Sequence, residues 1–122
     1  MKKILVGAIL LLQIFPFSPS ASAHSALISS VPSKGVVLRF LPQEVSLRFN
    51  EDLLIIGGKR TNTVSITSAA GARVSYGNVR ITGNRIAISI SSKVTSGRFL
   101  VAYRVVSADG HPISGKYFFT VK

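Results

Sequence analysis

Arg85-Ile86-Ala87-Ile88-Ser89-Ile90 places isoleucine at every second position, with Arg85, Ala87 and Ser89 between. Side chains along a strand alternate between its two faces, so this stretch reads as a strand with one buried face. Val45-Ser46-Leu47-Arg48-Phe49 and Val64-Ser65-Ile66-Thr67 carry the same alternation upstream, the second followed by the turn pair Ala70-Gly71. Arg73 to Ser75 and Asn78 to Thr82 are shorter candidates, punctuated by Gly77 and Gly83. Phe99 to Val106 is the longest candidate, and Lys116 to Val121 the last. No stretch after residue 24 keeps a 3.6-residue period. About seven short strands joined by Gly, Asn and Ser turns predict an all-β fold, an antiparallel Greek-key sandwich or barrel.

The 122 residues suffice for one small domain, and 47% hydrophobic against 16% charged residues argues against disorder. Residues 1–23 have the pattern of a secretory signal peptide. Lys2 and Lys3 precede the apolar stretch Ile4 to Phe15, Pro16 and Pro19 break it, and Ala21-Ser22-Ala23 supplies small residues for cleavage. Twelve residues from Ile4 to Phe15 fall short of the roughly 20 that a membrane-spanning helix needs. The expected domain is therefore residues 24–122, exported to the periplasm or cell exterior and monomeric.

The composition narrows the chemistry. With no Cys, and with Met1, the single Met, lost with the leader, the expected domain offers neither disulfides nor thiolate or thioether ligands. Metal chemistry in residues 24–122 must use nitrogen and oxygen. Both histidines fall at notable places: His24 becomes the new N-terminus on cleavage after Ala23, and His111 lies in Ser107-Ala108-Asp109-Gly110-His111-Pro112-Ile113-Ser114-Gly115, a polar segment between the last two strands. A terminal His can chelate through its α-amine and Nδ1. A turn at Gly110 can aim Asp109 and His111 at one point. One amine, two imidazoles and one carboxylate suit Cu(II), which favours tetragonal nitrogen and oxygen ligation.

These residues carry a family resemblance. His24-Ser25-Ala26-Leu27, Ser30-Val31-Pro32-Ser33-Lys34-Gly35 and Val45-Ser46-Leu47-Arg48-Phe49-Asn50-Glu51 resemble the opening of CopC-family copper-resistance proteins. The stretch from Tyr103 to Val121, with Ser107-Ala108-Asp109-Gly110-His111-Pro112 at its centre, resembles the most diagnostic part of that family. The resemblance implies an immunoglobulin-like Greek-key β-sandwich that binds Cu(II) through His24, Asp109 and His111. Glu51 matches the acidic residue ending the family's Phe-x-Glu motif and is expected to hydrogen-bond beside the ligands. The implied role is copper sequestration, or delivery to a membrane copper permease. Family members with a Met-rich Cu(I) site differ from this chain, which reads as a Cu(II)-only member.

Two further readings fit the same residues. A terminal-His copper brace also serves oxidative polysaccharide-cleaving monooxygenases, and a metal-free surface-binding module needs neither His. The 99 residues left after the leader, the lack of Trp and the presence of Asp109 as a fourth ligand favour a binding protein over an enzyme. Without Lys2 and Lys3, 13 Lys and Arg stand against 4 acidic residues. Copper binding does not require that excess. It favours contact with an anionic membrane, a cell-wall polymer or an acidic partner. The spread of arginines along the chain, and export, argue against nucleic acid.

Overall fold

The computed structural model describes residues 26–57 and 59–122. His24 and the expected signal peptide at 1–23 lie outside them. Eight strands follow one another: β1 (Leu27–Val31), β2 (Val37–Leu38), β3 (Glu44–Phe49), β4 (Thr63–Ser68), β5 (Ser75–Thr82), β6 (Arg85–Ile90), β7 (Gly97–Val106) and β8 (Pro112–Val121). Among the described residues there is no helix. One sheet has the order β1-β3-β6-β5 and the other β2-β8-β7-β4. The predicted β-sandwich is the observed fold.

Alternation sets the inner faces. Val45, Leu47 and Phe49 of β3 and Ile86, Ile88 and Ile90 of β6 are buried from one sheet. Val64 and Ile66 of β4, Phe99, Val101 and Val105 of β7, and Tyr117, Phe119 and Val121 of β8 meet them from the other. Phe99 and Phe119 are register partners whose rings stack with centroids 5.4 Å apart. Burying a side chain of this size contributes about 1.5–3 kcal/mol, so these rows are the main source of stability.

Besides β1 (Leu27–Val31), which no alternation marks in the sequence, the strand readings differ from the structure at three points. The first is β2, whose two residues are too short to show a period; it pairs in parallel with β8, Val37 with Thr120 and Leu38 with Val121. Next, the separate candidates at 73–75 and 78–82 overlap one strand, β5, because its register shifts between Tyr76 and Arg80. Gly77, at φ +74°, supplies the left-handed backbone that this irregularity uses. The third is β8, which begins at Pro112, so the polar connection is 107–111 and Ile113 to Gly115 belong to the strand.

The β7–β8 hairpin positions the site. Ten register pairs run from Gly97 with Val121 to Val106 with Pro112. Tyr103 pairs with Gly115 and meets the Phe49 ring edge-on at 5.7 Å. A Cβ at Gly115 would collide with the Tyr103 hydroxyl and lie 2.5 Å from its Cζ. The absent side chain is thus the room that Tyr103 occupies. Gly115→Ala is expected to cost about 1–3 kcal/mol by displacing that ring. Chemical denaturation would show it as a lower midpoint at unchanged slope.

Candidate metal centre

Ser107, Asp109 and His111 form a closed loop at the end of the hairpin. Ser107 is completely buried, and its N–H donates to the His111 carbonyl at 3.0 Å. Gly110 N–H donates to the Ser107 carbonyl at 2.8 Å. Gly110 takes φ +91°, a conformation that glycine adopts without the steric cost of a Cβ. The reversal brings two side chains together: His111 Nδ1 lies 2.8 Å from Asp109 Oδ2. The Ser107 hydroxyl donates to Asp109 Oδ1, and His111 N–H donates to the same oxygen at 3.3 Å.

Electrostatics follow from this geometry. The Ser107 hydroxyl, and after it His111, lowers the Asp109 pKa to about 2. Asp109 therefore stays ionised far below neutrality although it faces solvent. The 2.8 Å separation also has a chemical meaning. It is that of a hydrogen bond or ion pair, and it keeps a nitrogen donor and an oxygen donor side by side at the tip of the loop.

The loop is rooted in its surroundings. Ser107 bridges to Leu53, Leu54 N–H donates to the Val106 carbonyl at 2.8 Å, and Ala108 N–H donates to the Asp52 carbonyl at 2.9 Å. Asn62 is buried and clamps the same region, donating to the Leu54 carbonyl at 2.7 Å and accepting from Val106 N–H at 2.8 Å. The segment 50–54 thus lies against the 107–111 loop. Its other end holds the start of the described chain: Ala26 N–H donates to Asn50 Oδ1 at 2.6 Å, and Asn50 N–H donates to the Ala26 carbonyl at 3.1 Å. Glu51, half-buried, sits between these two anchor points.

Of the four expected site residues, Asp109 and His111 are in direct contact, and Glu51 lies on the segment that joins the loop to Ala26. Among the described residues no three His, Asp or Glu side chains converge on one point. Sequence reasoning gave no separate role to Ser107, Asn50 or Asn62. The only signal for Ser107 was a hydroxyl two positions before a carboxylate, a common turn pattern. Asn62 clamps residues 8 and 44 positions away, which no local pattern announces.

The family model for the CopC domain matches residues 27–122. Copper resistance protein C of Pseudomonas syringae pv. tomato is 35% identical over 112 residues, covering 86% of this chain and 86% of that protein. Copper resistance protein C of Escherichia coli is 34% identical over 129 aligned positions, covering 99% of this chain and 96% of its own. The crystal structure of PcoC, a methionine-rich copper resistance protein from Escherichia coli, matches with a TM-score of 0.66 at 28% identity, over 82% of this chain and 100% of PcoC. With one family model spanning nearly all of the described residues and relatives above 30% identity over most of their length, the chain belongs to the CopC family.

Proposed function

We propose that the chain is an exported Cu(II)-binding protein that sequesters copper or hands it to a membrane copper permease. The observation that carries this reading is the Asp109–His111 pair, held 2.8 Å apart on a loop whose supporting segment also anchors Ala26. His24 lies two residues before Ala26, a span of at most about 7 Å for extended chain. In this reading His24 contributes its α-amine and imidazole, His111 an imidazole and Asp109 a carboxylate oxygen, with Glu51 hydrogen-bonding beside them. The copper-resistance names of the relatives support copper as the cargo. PcoC is described as methionine-rich, whereas this chain has Met1 alone, which restricts the reading to Cu(II). Asp109 fills a position that oxygen activation would need open, so the role is carriage and not catalysis.

Alanine and asparagine variants separate the two loop ligands. His111→Ala removes a nitrogen donor that water replaces poorly on Cu(II), and a loss of affinity of at least about 100-fold is expected, as for removal of a direct donor. Asp109→Asn keeps an amide oxygen in place and should cost about tenfold. Electron paramagnetic resonance of the His111→Ala protein should show one fewer coupled nitrogen. An unchanged spectrum would remove His111 from the site and the reading with it.

A further inference from the structure

At the end of the sandwich opposite the metal loop, three segments come together. Ile90 N–H donates to the Gln43 carbonyl at 2.8 Å, which sets the β6–β7 connection against the β2–β3 connection. Lys122 N–H donates to the Leu38 carbonyl at 2.9 Å, and Gly97 pairs with Val121, so the beginning of β7 and the end of β8 lie there too. The side chains presented are unusual for a wetted tip. Phe40 is 82% exposed and Val94 48% exposed. Arg39, Lys93, Arg98 and Lys122 are exposed around them. The Arg98 guanidinium lies 3.9 Å from the centroid of the Phe118 ring, leaving a cation seated on an aromatic face. The one acidic side chain near this end, Glu44, is occupied by Arg80 at 2.7 Å on the outer face of the other sheet.

We infer that this tip is a docking surface for a bilayer rich in anionic phospholipid, with Phe40 and Val94 entering the headgroup region. Cations alone would suit any polyanion. An aromatic and a β-branched side chain projecting from adjacent connections, and ringed by those cations, suit an interface that is anionic outside and apolar beneath. An acidic protein or wall polymer would match the charge and leave Phe40 in water. The ten-residue strands β7 and β8 separate the tip from the metal loop by about 30 Å, at about 3.3 Å per residue. A molecule docked in this way holds the Asp109–His111 loop away from the lipid surface.

The test is vesicle co-sedimentation, with protein recovered from the envelope fraction of expressing cells. Equimolar phosphatidylglycerol and phosphatidylcholine vesicles are compared with phosphatidylcholine alone. The unmodified chain should partition onto the anionic vesicles and not the neutral ones. Phe40→Ser should weaken that partition about tenfold, because a buried aromatic ring is lost. Paired Arg39→Glu and Lys93→Glu substitutions should abolish it, whereas His111→Ala should leave it unchanged. The chain has no Trp, so Phe40→Trp supplies a single reporter, expected to shift to shorter wavelength on anionic vesicles only. Four results would overturn the inference: Phe40→Ser binding like the unmodified chain, no spectral shift, polyglutamate bound as tightly as the vesicles with Phe40 irrelevant, or a loss of binding in His111→Ala.

Discussion

A single glycine added ahead of His24 is expected to weaken Cu(II) binding by at least about a hundredfold, while the fold stays intact. Loss of a group that merely orients a ligand costs about 10–100-fold in metal affinity, and an added residue removes a direct donor together with its chelate ring. The change leaves both sheets untouched, because the strands begin at Leu27. Competition against a chelator of known affinity, with the extended and the processed forms side by side, measures it. Circular dichroism of both forms reports the fold. Equal affinities would mean that the α-amine is not a ligand, and the Asp109–His111 pair would then need a different third donor.

The second large effect is release by acid. The amine and both imidazoles must lose their protons to bind. Capture of one ion should therefore displace more than one proton. Between pH 7 and pH 5 the apparent affinity should then fall by more than the roughly 100-fold that one displaced proton would give. Asp109 takes no part in this fall, because the Ser107 hydroxyl and His111 hold its pKa at about 2. For the metal-free fold the sign is the usual one for a depressed carboxylate: the contribution of Asp109 is present above the unfolded pKa of about 3.9 and is lost as pH falls through about 2. The metal-free domain should therefore stay folded throughout the window in which copper is released. Affinity titrations across that range, paired with circular dichroism of the metal-free protein, check both halves. An affinity independent of pH would rule out a nitrogen-rich site.

The fold was legible where the residues alternate. Ile86, Ile88 and Ile90 read as an inward row and are buried, and so are Val45, Leu47 and Phe49. The parallel pairing of β2 was not legible, since two residues carry no period and their partner is about 80 positions away. The loop pair was legible because Asp109, Gly110 and His111 are adjacent, so a turn residue and two donors act locally. The long-range supports were not. Nothing near Asn50 or Asn62 in sequence reveals that one ties down Ala26 and the other the end of β7. His24 stands between the two cases: its place after Ala23 is visible in the sequence, and it lies outside the described residues, which begin at Ala26.

Ser107 is fully buried while Asp109 and His111 face solvent only two and four residues later. The root of the loop is therefore part of the interior, and its shape is decided when the two sheets pack. Binding sites assembled from loose segments lose affinity to the entropy of ordering them, and each arriving ligand repeats that cost. Here that ordering is done once per molecule and kept. In the proposed copper site the loop is a fixed jaw: an arriving ion meets an aspartate and a histidine already side by side, and a departing ion leaves the jaw set for the next.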